Sequence, residues 1–399
     1  MYGVIIPYLL ITHKENFTTT NKKYRIISLN TNSLCLPWQQ KLMSNFSIGN
    51  LRLTVPIVQG GMGVGISLSG LASAVANEGG VGVISCAGIG LLYKNSSDSY
   101  SEASIFGLKE ELRKARELAK GVIGVNIMVA LTNFADMVKT SIASKADIIF
   151  AGAGLPLDLP SYLQKDSITK LVPIVSSTRA ALIICEKWIK NYNYVPDAIV
   201  LEGPKAGGHL GYKEDQISDN NYSLEELLPD LVKNIKIVEE QNNCKIPIIA
   251  GGGIYNGEEM RKILDLGASA VQIGTKFVTT TECDASLAFK ETYINAKESD
   301  IEIIKSPVGM PGRAIFSKFI ERVKEGTEKP KSCPFHCIRT CDYTKSPYCI
   351  IIALYNAFKG NFNKGYAFAG SNAFRAEKII SVKETIRTLM AEMKLSAKI

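Results

Sequence analysis

The chain of 399 residues carries only three histidines, His13, His209 and His336. His209 stands in the run Leu201-Glu202-Gly203-Pro204-Lys205-Ala206-Gly207-Gly208-His209-Leu210-Gly211. Flanking glycines argue against a packed core position and suit a ring delivered to a pocket by pliant backbone. Imidazole titrates near neutral pH, so His209 is expected to act as a general acid or base, or to polarise a substrate. Glu202, closing the apolar run before it, is placed to orient this loop or to touch a bound cofactor.

A second group of residues suits an anion. Ile248-Ile249-Ala250-Gly251-Gly252-Gly253-Ile254 and Val271-Gln272-Ile273-Gly274-Thr275 each end an apolar run in glycine. Glycines let backbone N–H groups approach an anion closely, and the helix starting near Asn256-Gly257-Glu258 is expected to add its partial positive charge. A phosphate site is the expectation.

A third group could hold a metal. Of nine cysteines, Cys35, Cys86, Cys185, Cys244 and Cys283 are scattered, whereas Cys333, Cys337, Cys341 and Cys349 are gathered at spacings of four, four and eight. Four thiolates suit zinc or an iron–sulfur cluster, and an electron relay favours the cluster. Buried free thiols in a small helical cap are the alternative. The odd total and the lack of a signal peptide argue for a reducing compartment, the cytoplasm.

Elements must place these groups together. Apolar, Val- and Ile-rich runs recur at Pro56–Gln59, Val81–Ser85, Val122–Met128, Asp147–Ala151, Leu171–Ser176, Ala198–Glu202, Ile246–Ala250 and Ala270–Gly274. Being continuous and not alternating, they predict parallel strands buried on both faces. Amphipathic stretches lie between them, at Leu68–Asn77, Leu108–Lys120, Phe134–Ser144, Thr178–Lys190, Leu224–Gln241 and Glu258–Leu266. The pattern predicts an α/β fold, a (β/α)8 TIM barrel, with a doubly wound sheet as the structural alternative. In a barrel, the polar or glycine-rich strand ends fall at one mouth. A phosphate site after strands 7 and 8 often belongs to FMN; Gly60-Gly61-Met62-Gly63 would then lie against its isoalloxazine, and Asn126 would hydrogen-bond the ring or the ribityl chain.

Three segments are expected: a leader over residues 1–46, disordered or an over-extended start; an FMN-binding barrel over 47–325; and a Cys-rich helical cap over 326–399. Glu321–Lys331 is expected to be a linker. The loop Tyr366–Ala373 is expected to return to the barrel mouth over the flavin, and Lys378–Lys394 to form a terminal amphipathic helix. The formal net charge of +8 is interleaved with acid, as in Lys109-Glu110-Glu111-Leu112-Arg113-Lys114, which excludes a nucleic-acid partner. No apolar run reaches the ~18 residues of a membrane span.

Four ordered motifs carry a resemblance. Pro56-Ile57-Val58-Gln59-Gly60-Gly61-Met62-Gly63, Gly203-Pro204-Lys205-Ala206-Gly207-Gly208-His209, Ala250-Gly251-Gly252-Gly253-Ile254 and Gln272-Ile273-Gly274-Thr275-Lys276-Phe277 resemble the nitronate monooxygenase (2-nitropropane dioxygenase) family. They are also similar to the related flavin-dependent enoyl-acyl-carrier-protein reductases. The resemblance implies a TIM barrel with non-covalent FMN, His209 near the flavin N5, and the phosphate on Gly252, Gly253, Gly274 and Thr275. It implies an oxidoreductase with a small-molecule substrate, as a monomer or an oligomer. Alkyl nitronates oxidised to a carbonyl compound and nitrite are the first expectation. NAD(P)H-dependent reduction of an enoyl thioester is the second, and a non-catalytic flavin-binding module the third. Leu210-Gly211 departs from the Arg-Gly of many nitronate enzymes. Arg313, in Gly312-Arg313-Ala314-Ile315, resembles the Arg-Ala-Ile of the reductases and is expected to meet an anionic substrate group.

Overall fold

The computed structural model describes residues 46–93 and 99–396. The proposed leader lies outside these residues except for Phe46, as do His13 and Cys35.

Each apolar run forms a strand: β3 (Ile57–Gln59), β4 (Val81–Ser85), β5 (Val122–Met128), β6 (Ile148–Gly152), β7 (Lys170–Val175), β8 (Ile199–Glu202), β10 (Ile248–Gly251) and β11 (Ala270–Ile273). All neighbours are parallel, and β11 returns to pair with β3, Gln272 opposite Val58, so the sheet is a closed barrel. Closure rules out the doubly wound sheet. Strands such as β4 and β6 are buried along their whole length, as continuous hydrophobicity requires when side chains face both the lumen and the helices.

The hairpin formed by β1 (Phe46–Ile48) and β2 (Leu51–Leu53) turns at Gly49 and packs Phe46, Ile48 and Leu53 against lumen residues Val58, Val83, Phe150 and Val200. It plugs the barrel floor, so the barrel unit includes Phe46. At the opposite end β12 (Ile301–Lys305), β13 (Pro311–Ile315) and the two-residue β9 (Gly208–His209) form a small antiparallel sheet.

The crossover helices match their expected positions to within a few residues at most ends. The exception is the second, which spans Tyr100–Leu118 because Ser99 and Glu102 form a capping box upstream of the apolar stripe. The helix Ser69–Asn77 lacks a local side-chain cap; instead Asp284 accepts from the backbone N–H groups of Leu68, Gly70 and Leu71 at 2.8, 3.1 and 3.1 Å. The segment read as a linker is partly helical, Lys318–Lys324, because Phe319 and Ile320 bury themselves against Tyr348 and Tyr366. The terminal helix, Val382–Ser396, packs on the helix Gly257–Asp265. Among the described residues no helix is long and apolar enough to cross a membrane.

Candidate active site

The strand C-termini open on a cavity of about 470 Å³, within the range of cofactor and small-molecule sites. It is lined by Gly60, Gly61, Met62 and Gly63 after β3, by Asn126 on β5, and by Glu202, Gly207, Gly208 and His209 on and after β8. Gly251, Gly252 and Gly253 after β10, with Gln272, Gly274 and Thr275 on and after β11, complete that side. The fold therefore brings every expected cofactor and catalytic position to one mouth.

Three devices shape the β3 loop. Gln59 is buried and accepts from the Val83 backbone at 2.8 Å while its amide nitrogen donates to the Gly60 carbonyl. Ser67 Oγ accepts from the Met62 backbone at 2.9 Å. Gly61 passes so close to Asn126 that a Cβ on it would stand 2.3 Å from that side chain. Neither Asn126 nor Glu202 has a hydrogen bond from its side chain among the described residues. Burial raises the Glu202 carboxyl to about 7, which favours a neutral acid able to donate.

Gly252 and Gly253 have φ of +107° and +87°, and added Cβ atoms would meet the Gly203 carbonyl at 2.8 Å and the Lys205 side chain at 2.9 Å. Thr275 Oγ1 accepts from the Gly370 N–H at 3.0 Å, and Asn372 donates to the Gly253 carbonyl at 2.6 Å. The Tyr366–Ala373 loop thus returns to the mouth. Before and at the start of the helix after β10, the N–H groups of Tyr255 and Asn256 donate to Glu259 and that of Gly257 to Glu392. Gly252, Gly253, Gly274, Thr275 and Ser371 all line the cavity.

His209 is set by the small sheet. Strand β9 pairs with β13, His209 opposite Gly312, and Leu210 N donates to Pro311 O at 2.9 Å. His209 Nε2 lies 2.7 Å from Ser306 Oγ, and its ring meets Phe368 edge-on at 5.0 Å. Burial lowers its pKa to about 4. With that value the ring is neutral near pH 7. Arg313 differs from expectation. It is buried, and its Nη1 donates to the carbonyls of Pro204 and Ala206 at 2.6 and 2.7 Å. It holds the histidine loop and lies outside the cavity lining.

Sequence reasoning did not single out Ser306, Ser85 or Ser371. Ser85 ends β4 with a hydroxyl, the same polar-strand-end signal that marked Asn126. Ser371 lies in the loop already expected at the mouth. Ser306 depends on the β12–β13 hairpin, which carried no recognised signal. The side-chain oxygens of Ser85 and Ser371 are buried without a hydrogen-bond partner among the described residues. Cys333, Cys337, Cys341 and Cys349 are brought together at a second, small cavity in the cap.

A family model described as nitronate monooxygenase matches residues 44–392, a span that takes in both barrel and cap. A probable nitronate monooxygenase of Staphylococcus aureus (strain JH9) is 28% identical over 301 residues, covering 69% of this chain and 79% of that one. Among solved structures, FabK from Thermotoga maritima superposes with a TM-score of 0.66 at 25% identity, covering 87% of this chain and 94% of its own. A nitroalkane oxidase from Streptomyces ansochromogenes shares the fold with a TM-score of 0.65 at 20% identity, covering 87% and 97%. On the extent of the family match, the chain belongs to the nitronate monooxygenase family.

Proposed function

We propose that the protein is an FMN-dependent oxidoreductase that oxidises alkyl nitronates to a carbonyl compound and nitrite, with oxygen as co-substrate. The observation that carries this reading is that His209 and the glycine-lined anion corner open on the same cavity, in a chain matched to the family over residues 44–392. The residues present fit FMN. Ser371 and Ser85 offer the cavity hydroxyls that lack partners among the described residues, and buried polar groups ordinarily have them. Gly252, Gly253, Gly274, Thr275 and Ser371 would hold the phosphate. Gly60, Gly61, Met62, Gly63, Ser85, Asn126, Glu202, Gly207, Gly208, Gly251 and Gln272 would face the rest of the cofactor. Bound there, FMN supplies the electron acceptance that oxidation of a nitronate needs.

The chain's own contribution is to bind and orient the substrate. A ring with a pKa of about 4 is a poor base for a nitroalkane C–H near neutrality. A preformed nitronate anion needs no such base, and a neutral imidazole N–H can hydrogen-bond its oxygens. Met310, Leu354 and Phe368 give the same cavity an apolar wall for the alkyl part. The eight described cysteines are all free thiols, in keeping with a cytoplasmic protein.

The likeness to FabK, at 25% identity, favours one second reading, NAD(P)H-dependent reduction of an enoyl thioester. Anaerobic mixing separates the two. Bleaching of flavin absorbance by propyl nitronate alone, reversed by air with nitrite formation, is the expected result. Bleaching by NADH or NADPH alone, with no response to nitronate, would move the assignment to the reductase. Bound flavin that answers neither would leave a binding module.

A further inference from the structure

The cap places four thiols around one small cavity: Cys333, Cys337, Cys341 and Cys349 all line it. None is in a disulfide. Cys337 is buried and the other three are half-buried.

The segment is stitched in place from outside. Thr132, in the loop after β5, donates its hydroxyl to the His336 carbonyl at 2.5 Å and its N–H to the Cys337 carbonyl at 3.2 Å. Arg339 N returns a bond to Ala130 O at 3.0 Å. His336 takes a φ of +44°, which turns the chain between Cys333 and Cys337. The fourth thiol comes from Cys349, the N-cap residue of the helix Ile350–Phe358.

A single ion is a poor match. Tetrahedral zinc with Zn–S bonds of ~2.3 Å draws its sulfurs to within ~3.8 Å of one another. Among the described residues no three His, Cys, Asp or Glu side chains are close enough for that. A cubane cluster takes one thiolate at each of its four irons and so holds the sulfurs farther apart.

We propose that Cys333, Cys337, Cys341 and Cys349 bind a [4Fe–4S] cluster. Its place relative to the main cavity is fixed by one helix, which carries Cys349 at its start and Leu354 in the cavity wall, about 7.5 Å of helical rise apart. The proposal does not rest on the nitronate reading and stands or falls separately from it.

The test is anaerobic purification of the full chain, reconstitution with ferrous iron and sulfide, and measurement of iron, acid-labile sulfide and the electron paramagnetic resonance spectrum after dithionite reduction. About four irons and four sulfides per chain, with a reduced-cluster signal, are expected. Cys341→Ala, at a half-buried position, should lose most of the iron and the signal while its circular dichroism stays near that of the parent and its thermal midpoint near that of the cluster-free parent. About one zinc per chain, about two irons per chain, or four freely alkylated thiols with no metal retained after reconstitution would each overturn the assignment.

Discussion

His209 Nε2 and Ser306 Oγ meet at 2.7 Å although they lie 97 residues apart in sequence. The contact exists because β9 adds to β13 at the barrel mouth, while the turn between β12 and β13 carries Ser306 alongside the ring. Ser306 is itself buried, and its backbone N–H bonds to the Met310 carbonyl at 3.3 Å. The hydroxyl fixes one ring nitrogen and so sets which face of the imidazole the cavity sees.

Ser306→Ala should therefore lower kcat/KM for a nitronate while leaving the fold intact. One hydrogen bond of this kind is worth about 1 kcal/mol, which corresponds to roughly a fivefold loss. Ser306→Thr, which keeps a hydroxyl, should recover part of it. Steady-state kinetics with propyl nitronate would check this, and parent-like values in Ser306→Ala would show that the contact does not orient the ring.

Arg313 presents the opposite balance, with more at stake for stability. Its guanidinium is buried and bonds two carbonyls of the histidine loop, so Arg313→Ala leaves both acceptors unpaired as well as a void. A loss of roughly 2–4 kcal/mol in urea unfolding is expected. Arg313→Lys should remain clearly destabilised, because a single ammonium cannot reproduce the planar fork. A loss under about 0.5 kcal/mol for Arg313→Ala would mean that the strand pairing of β9 alone holds the loop.

The contrast between these two residues shows what the sequence could disclose. Barrel strands were legible because parallel burial on both faces leaves a continuous Val/Ile signature, and glycine-rich strand ends mark the mouth wherever they recur. The helix Lys318–Lys324 was hidden because its charged residues outnumber the buried Phe319 and Ile320. The β12–β13–β9 sheet was hidden for a different reason: β9 is two residues long and its pairing is set by tertiary contact. For that reason Arg313 could be noticed as unusual but not assigned to the loop carbonyls, and Ser306 could not be noticed at all. Asp284 capping a helix more than 200 residues away is likewise invisible to any local rule.

Gly253 tests the anion corner. Its φ of +87° disfavours any side chain, and the position faces the cavity beside Thr275 and Ser371. Gly253→Asp adds a negative charge as well as strain, so it should purify with little FMN. Ser371→Ala adds neither and should only weaken binding, by roughly fivefold if one hydrogen bond is lost. Flavin content per chain is the measurement. Stoichiometric FMN in Gly253→Asp would remove the phosphate from this corner.

The ionisation of His209 can be read directly. Burial lowers its pKa to about 4, so the ring should stay neutral through pH 5. Titration of the histidine ring protons by nuclear magnetic resonance, with His209→Gln to assign the signal, should give a midpoint well below the ordinary 6.5. A midpoint near 6.5 would restore the ring as an acid–base group at neutral pH and reopen nitroalkane deprotonation as its task.

Glu202 and His209 face the same cavity and respond to pH in opposite senses. Burial raises Glu202 from 4.5 to about 7, so between those values the folded chain keeps a proton that the unfolded chain has released. Stability from this group is fully present below pH 4.5 and is lost as pH rises through about 7. His209 falls from 6.5 to about 4, so the unfolded chain takes up a proton first as pH drops, and stability is lost from about 6.5 downward. Between pH 4.5 and 6.5 the two effects offset one another, and the parent's thermal midpoint alone would look flat. Glu202→Gln isolates one arm, since the amide has no proton to lose. The stability of Glu202→Gln relative to the parent should rise from pH 4.5 to about 7, by on the order of 1 kcal/mol or more, and level off above. Parallel denaturation curves at pH 5 and pH 8 would check it. A constant difference between the two proteins would mean that Glu202 ionises at its ordinary value and meets the cofactor as a carboxylate.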